Sequence, residues 1–150
     1  MHPYPHLYDV TASGAPAGNV RLDSPGLETI QSAPPREFDG PGDRWSPETL
    51  LIAAIADCFV LTFRGVSRAA RLTWTRLECR VSGRLERCEG ALRFCEFTTH
   101  ATLTVPPEVD TEAARRLLEQ AEHRCLIANS LSGRRQLEIS IVARADALSA

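Results

Sequence analysis

The sequence predicts an α+β protein in which strands and helices occur in blocks. Short strands separated by turn residues come first and one long apolar helix follows; a long hairpin, a second helix and a closing strand complete the order. Because strands and helices do not alternate, this order favours an α+β arrangement over a parallel doubly wound sheet. A chain of 150 residues has the length of one domain, and we predict a single domain over residues 1–150.

The first part of the chain predicts an antiparallel meander of three strands. Leu7–Thr11 and Asn19–Asp23 flank the turn sequence ASGAPAG, and Leu27–Gln31 follows the turn sequence DSPG. The next segment, Ser32–Trp45, contains three prolines and two glycines, which break regular structure. A segment of that length without a strand or a helix is often functional in a compact domain.

A long helix is predicted from Pro47 to about Ala70. Ser46 is a preferred N-cap, Pro47 suits the first helical position, and Glu48 places an acid in the first turn. The sequence LLIAAIADCFVLTF that follows is apolar almost all round, which indicates a helix enclosed on most sides. Such enclosure needs a sheet, another helix or a second subunit, and it is a first indication of a dimer.

The second half of the chain predicts a hairpin, a helix and a last strand. Leu77–Glu86 and Leu92–Val105 alternate apolar and polar residues on either side of the turn sequence RCEG, with a bulge near Phe94. Asp110 is predicted to cap the second helix, and a short further turn of helix precedes the strand Gln136–Ala145.

Composition and charge exclude several classes of function. A net charge of −2 and a pI near 6.1 give no reason to expect nucleic acid or a membrane as a partner. The first residues, MHPYPHLYDV, have neither the cationic start nor the apolar centre of a signal peptide. The longest apolar run, Leu50–Phe63, is too short to span a bilayer. We therefore expect a cytoplasmic protein.

The number of cysteines is odd and no signal peptide is apparent, which argues against a structural disulfide framework. Cys79 and Cys95 fall on the apolar faces of predicted strands and are expected to be inert core residues, while Cys88, in the hairpin turn, is expected to be incidental. Only the sequence His123-Arg-Cys125 brings two soft ligands close together, whereas a zinc site needs about four. We therefore expect no metal site.

Cys58 and Cys125 differ from the other cysteines because each lies in a helical element beside polar groups. From the residues alone, Cys58 is more typical of a core thiol, and Cys125 is equally compatible with packing and with chemistry. Glu48 precedes Cys58 by ten residues, which on a helix places it roughly 80° around the axis and roughly 15 Å along it. Glu48 can therefore approach the thiol only through another group or across a folded loop.

The two cysteine segments resemble motifs of a known family. SPETLLIAAIADCF is similar to the Asn/Ser-Pro-Glu-x-Leu…Ala-x-Cys-Phe segment of the OsmC/Ohr family, the osmotically induced and organic-hydroperoxide-resistance proteins. AEHRCLIANSLSG resembles the second cysteine motif of that family, in which Cys is commonly followed by Pro, and PREFDGPGD resembles the loop before its central helix. The resemblance covers about Tyr8 to Ala143, with the two motifs in the right order.

This resemblance implies antiparallel sheets that wrap a long buried central helix in an intertwined homodimer. It also implies a thiol-dependent peroxidase that reduces organic hydroperoxides and needs no cofactor. In that reading Cys58 is the peroxidatic nucleophile and becomes a sulfenic acid, and Cys125 is the resolving thiol that closes a disulfide with it. A dithiol reductant, which for some family members is a lipoylated protein, then reduces the disulfide.

The resemblance also implies an arginine beside Cys58, because the thiolate is the reactive form and an apolar pocket disfavours it. Glu48 would hold that arginine in place. The turn that carries the arginine in the hydroperoxide-resistance branch reads SGAPAGNV here, without an Arg. Arg36 is therefore the first candidate and Arg21 the second. This departure favours an alternative function: an OsmC-like protein without peroxidase activity that binds a small hydrophobic or thiol-reactive ligand at the dimer interface.

Overall fold

The structure, a computed structural model, describes residues 2–145, which form two compact units that divide between Leu51 and Ile52. The first unit holds a small sheet, a 3-10 turn and the first residues of a long helix. The second unit holds the rest of that helix, a second sheet and two further helices. The predicted single domain over residues 1–150 stays a prediction.

A three-stranded antiparallel sheet forms the first unit and confirms the predicted meander. Its strands are β1 (Thr11–Ser13), β2 (Val20–Asp23) and β3 (Ile30–Ser32), in the order β1-β2-β3. The predicted first strand was misplaced, since Leu7–Thr11 pairs with nothing before Thr11, which lies opposite Asp23. The apolar residues at positions 7–10 have strand propensity, but a strand forms only where a partner edge is available.

The proline-rich segment contains one short 3-10 helix, Arg36–Phe38, which the sequence did not indicate. It ends at Asp39, whose φ of 58° is left-handed. Gly40 follows in a crowded position, where a side-chain Cβ would lie 1.7 Å from the carbonyl oxygen of Pro34. Only glycine fits such a close approach of two backbone segments.

Helix α1 (Pro47–Ala69) begins and ends close to the predicted positions. Its start is closed by a reciprocal pair of hydrogen bonds: the backbone N–H of Thr49 donates to the Ser46 hydroxyl at 3.2 Å, and the backbone N–H of Ser46 donates to the Thr49 hydroxyl at 2.8 Å. This arrangement satisfies helix-end donors in the manner of a capping box. Ser46 is therefore an N-cap, as its residue type predicted.

One stripe of α1 is buried, formed by Ile55, Phe59, Phe63 and Val66 at helical spacing. Burial of each phenylalanine stabilises the fold by about 1.5–3 kcal/mol. Leu61, on another side, is half-exposed, so the single chain alone does not enclose α1 on most sides. The expected enclosure, which allowed for a second subunit, stays a prediction. By length and composition α1 could also cross a membrane, but core helices of soluble proteins meet the same two criteria.

The second sheet has the order β4-β5-β6, with strands β4 (Arg76–Cys88), β5 (Ala91–Val105) and β6 (Arg134–Ala143). The hairpin of β4 and β5 is antiparallel, and its register shifts at Arg84/Leu85, which leaves Cys95 unpaired. The predicted bulge near Phe94 is thus confirmed.

Strand β6 runs parallel to β5, so the prediction of antiparallel sheets is wrong for this pair. Parallel neighbours need a crossover of a dozen or more residues, which α2 (Thr111–Arg124) and α3 (Leu126–Asn129) supply. Asp110 caps α2 as predicted, its side chain accepting hydrogen bonds from the backbone N–H groups of Glu112 and Ala113. The crossover carries the chain past Cys125, which lies between the two helices.

Candidate functional site: a pair of cysteines

Cys58 lies in the middle of α1, beside the buried stripe of that helix. It is half-buried, and its sulfur lies 3.9 Å from the hydroxyl of Thr62, one helical turn further along. It packs against a small apolar cluster formed by Ile55, Phe97, Cys125 and Ala128. The neighbouring Asp57 is exposed and is not part of this cluster.

Cys125 occupies the junction of two helices, as the C-cap of α2 and the N-cap of α3. Its backbone is extended, with φ −65° and ψ 108°, so the chain changes direction at this residue. The residue is 1 % exposed, and its sulfur lies 4.0 Å from the carbonyl oxygen of Ile55 on α1. The junction thereby brings the Cys125 thiol to the helix that carries Cys58.

The pKa of Cys58 lies below its ordinary value. Burial acts to raise it, but hydrogen bonds from the backbone N–H of Ile127, the Cys125 thiol, the Thr62 hydroxyl and the backbone N–H of Leu126 together outweigh burial. All four are donors, which stabilise the thiolate more than the thiol. Cys58 therefore has the larger thiolate fraction of the pair and is the stronger candidate for a nucleophile.

Cys125 shows the opposite behaviour. Burial, reinforced by the hydrogen bond and the charge of Cys58, raises the pKa of Cys125 to about 11, although the backbone N–H groups of Ala128 and Ile127 act in the other direction. Cys125 is therefore a protonated thiol at neutral pH and can donate its proton toward the Cys58 sulfur. Two adjacent thiols of unequal acidity are the chemical core of this site.

Cys125 lines a small cavity that is bordered by a polar network. Glu122 and Arg135 line the same cavity. The Arg135 guanidinium lies 3.1 Å from the Glu122 carboxylate and donates to the Asn129 side chain at 2.7 Å. This network ties α2, α3 and β6 together around the junction, so it fixes the position of Cys125. The sequence analysis did not identify Arg135 as a site residue. An arginine in a strand of alternating polar and apolar residues is ordinary, so its position gave no indication of this contact.

The structure brings together two of the five predicted site residues, Cys58 and Cys125. Glu48, Arg21 and Arg36 belong to the first unit, and their predicted roles toward Cys58 stay predictions. Arg21 forms a two-point contact with Asp23, at 2.6 and 2.9 Å. Arg36 is exposed, and its side chain packs against Gly42. A Cβ atom added to Gly42 would lie 2.2 Å from the Arg36 Nε atom.

Glu48 lines an apolar pocket of about 430 Å³ within the first unit. Its oxygen Oε2 is buried and has no hydrogen-bond partner among residues 2–145. A buried carboxylate oxygen without a partner is costly, so Glu48 is suited to receive a donor group. The predicted arginine would be such a donor.

The backbone donors of Leu126 and Ile127 were also missed by the sequence reasoning. The one signal that points to them is the residue after Cys125: a proline there would have no N–H, whereas Leu126 has one. The sequence CLIANS, which has Leu126 where the family motif commonly has Pro, therefore supplies an additional donor to Cys58.

Two other cysteines correct the sequence predictions. Cys88 and Cys95 form a disulfide with a Cα–Cα distance of 6.5 Å, so the expectations of an incidental Cys88 and an inert Cys95 were wrong. The bulge turns Cys95 toward the end of β4, which strand alternation alone does not indicate. Cys79 remains a free thiol packed against the core, and burial raises its pKa to about 11.

The fold and the site define an α+β protein with a thiol pair of unequal acidity. A profile of the family described as OsmC-like protein matches residues 40–140, which include both cysteines. The chain therefore belongs to the OsmC-like protein family, and the resemblance seen in the sequence is confirmed.

The similar proteins are distant in sequence, and those with solved structures are close in fold. YmaD of Bacillus subtilis (strain 168), itself uncharacterized, is 23 % identical over 108 residues, 70 % of this chain and 72 % of YmaD. The crystal structure of an OsmC-like protein from Mycoplasma pneumoniae has a TM-score of 0.79 at 19 % identity and covers 93 % of this chain and 99 % of its own. An organic hydroperoxide resistance protein from Legionella pneumophila has a TM-score of 0.73 at 23 % identity, with the same coverage.

Replacement of Leu126 by proline tests the backbone donor. Leu126→Pro removes the N–H while the helix start tolerates proline, because Cys125 is already extended. We expect the midpoint of Cys58 alkylation by iodoacetamide, followed across pH, to move to higher pH, since a donor to the thiolate is lost.

Leu126→Ala is the matched control, because it keeps the N–H and removes a side chain that is 75 % exposed. Its alkylation midpoint should match that of the unaltered protein. Equal midpoints for Leu126→Pro and Leu126→Ala would show that this N–H does not stabilise the thiolate.

Proposed function

We propose that the protein is a thiol-dependent peroxidase that reduces organic hydroperoxides to alcohols. The observation that carries this proposal is the packing of Cys58, whose pKa is lowered, against the apolar cluster that contains Cys125, whose pKa is raised to about 11. A nucleophile of enhanced acidity next to a protonated partner thiol suits a two-cysteine reaction cycle. Family membership and the hydroperoxide-resistance protein among the similar structures support the same function.

The cycle begins at Cys58. Its thiolate attacks the distal oxygen of the hydroperoxide, the O–O bond breaks, and the alkoxide leaves and takes up a proton as the alcohol. Cys58 becomes a sulfenic acid. The Cys125 thiol then condenses with it: a sulfur–sulfur bond forms and water leaves. A dithiol reductant, with lipoylated proteins as candidates, transfers two electrons and two protons and restores both thiols.

The apolar surroundings of Cys58 suit an organic substrate. Ile55, Phe97 and Ala128 form the cluster against which it packs, and an alkyl hydroperoxide can lie against such side chains where hydrogen peroxide gains nothing. We place the protein in the cytoplasm in this proposal, where a dithiol donor keeps the couple reduced.

The first prediction is a disulfide formed by peroxide. Anaerobic mixing of the reduced protein with cumene hydroperoxide should remove two hydrogens, and mass spectrometry of tryptic peptides should place the new bond between peptides 45–64 and 125–134. Cys125→Ser should stop at the Cys58 sulfenic acid, which a dimedone adduct reports. Cys58→Ser should consume no peroxide.

Thiols that stay reduced at millimolar peroxide would contradict the peroxidase proposal. That outcome would favour the second candidate, an OsmC-like protein that binds a small hydrophobic or thiol-reactive ligand without peroxidase activity. The specific observation in its favour is an apolar pocket of about 430 Å³ in the first unit, lined in part by Glu48, whose buried oxygen Oε2 has no hydrogen-bond partner among residues 2–145.

A second prediction concerns the arginine. If Arg36 serves the thiolate, with Glu48 orienting it, Arg36→Ala should raise the Cys58 alkylation midpoint because a nearby positive charge is lost. Arg44→Ala, in the same loop, is the control for a general change of charge and should leave the midpoint in place. An equal midpoint in the unaltered protein, Arg36→Ala and Arg44→Ala would contradict the assignment of Arg36 and make Arg21 the candidate that stabilises the thiolate. Arg21 would first have to break its ion pair with Asp23.

A third prediction concerns the homodimer, which belongs to the same proposal. Leu7, Tyr8 and Val10 are 85 %, 88 % and 68 % exposed in the single chain, and contiguous exposed apolar side chains are typical of an interface. Light scattering should give about twice the 16.5 kDa of one chain. A mass of one chain at micromolar concentration would contradict the dimer and with it any site at a subunit interface.

A further inference from the structure

The tip of the β4–β5 hairpin carries a second pair of cysteines, outside the site described above. Cys88 is the last residue of β4, and Cys95 is the bulge residue of β5. The structure joins them by a disulfide across seven positions, with a Cα–Cα distance of 6.5 Å. This distance lies within the range that a disulfide requires.

The hairpin is held together without this disulfide. Backbone pairing continues past the bulge from Leu85↔Phe94 to Cys88↔Ala91. The turn residues Glu89 and Gly90 have φ values of 52° and 83°, as a tight hairpin turn requires. A disulfide that closes a short loop constrains the unfolded chain less than one that closes a long loop. The backbone pairing and the turn do not need the disulfide to close the hairpin, so a chemical role has to be considered.

Both sulfurs are placed for exchange chemistry. Cys88 and Cys95 are half-buried beside the exposed turn, within reach of a small molecule. The Cys95 sulfur lies 3.4 Å from the carbonyl oxygen of Arg93, and the Cys88 sulfur lies 3.8 Å from a carboxylate oxygen of Glu86. These oxygens can accept hydrogen bonds from the two thiols once the disulfide is reduced. Arg84, 3.1 Å from the same carboxylate, offsets its charge.

We propose that Cys88 and Cys95 form a second redox couple, which exchanges with low-molecular-weight disulfides of the glutathione type. The Cys88 thiolate attacks one sulfur of the small disulfide, forms a mixed disulfide and releases one thiolate. Cys95 then attacks the Cys88 sulfur, closes the intrachain disulfide and releases the second thiolate. The two released thiolates take up the two protons of the protein thiols, so two electrons pass from the protein to the small disulfide.

The two hairpin cysteines could instead bind a metal ion together with Glu86. Glu86, Cys88 and Cys95 offer three ligand atoms within 4.8 Å of one another. A structural zinc site uses four ligands, and a closed disulfide leaves no thiolate to bind the metal. The redox couple accounts for the sulfur–sulfur bond directly, so zinc retention becomes an outcome of the test.

The experiment uses the full, unaltered chain in zinc-free glutathione buffers of increasing oxidised fraction. After acid quenching and alkylation, trypsin cuts behind Arg87 and Arg93 and places the two cysteines on peptides 88–93 and 94–115. We expect a linked pair of these peptides, and the ratio of linked to reduced peptides should rise in proportion to the oxidised glutathione concentration divided by the square of the reduced glutathione concentration. Peptides 45–64 and 125–134 report the other pair separately, so this test does not depend on the peroxidase proposal.

The single variants Cys88→Ser and Cys95→Ser provide matched controls. Each variant should leave one hairpin thiol that forms only a mixed disulfide with glutathione. Cys79, which is packed against the core, should stay reduced at every ratio and be alkylated after the quench.

Three outcomes would overturn the proposal. The first is two hairpin thiols that remain alkylatable at the most oxidising ratio, and the second is a linked pair that excess reduced glutathione never opens. The third is one zinc ion retained per reduced chain and lost in both single variants, which would identify a metal site.

Discussion

The junction of α2 and α3 at Cys125 is the constraint on which the site depends. One residue ends the first helix and starts the second, so its buried thiol and the first free N–H groups of α3 face the same point on α1. Those N–H groups have no partner within their own helix, and the Cys58 sulfur accepts their hydrogen bonds. The parallel crossover from β5 to β6, tied by Arg135 to Glu122 and Asn129, keeps this junction in place.

Hydrogen-bond donors, with no cation among them, lower the pKa of Cys58. Burial alone would raise the pKa of this thiol, and the balance is reversed by weak donors acting together, two of them from α3. An arginine, as the family resemblance implies, would add to these donors. The role of Glu48 toward that arginine stays a prediction; its buried oxygen Oε2 has no hydrogen-bond partner among residues 2–145.

The hairpin disulfide shows how a small irregularity changes the chemistry of a strand. Regular alternation would place Cys95 on the same face as Phe97, in the core. The bulge inserts one residue, leaves Cys95 without a cross-strand partner and brings it to Cys88. The same chain thus holds two cysteine pairs in different settings: one buried between helices, the other at the exposed end of a hairpin.

The sequence by itself determined most of the elements and selected two candidate cysteines. The Ser46-Pro47-Glu48 start, the Asp110 cap and the alternation of the hairpin are local signals, written in neighbouring residues, and they predicted those elements closely. The cysteine motifs selected Cys58 and Cys125. Only the tertiary structure decided that β6 lies parallel to β5, that Cys88 bonds Cys95, and that the N–H groups of Leu126 and Ile127 lie at Cys58. These contacts join residues far apart in the chain or depend on a bulge and a backbone direction, which no local pattern of side chains encodes.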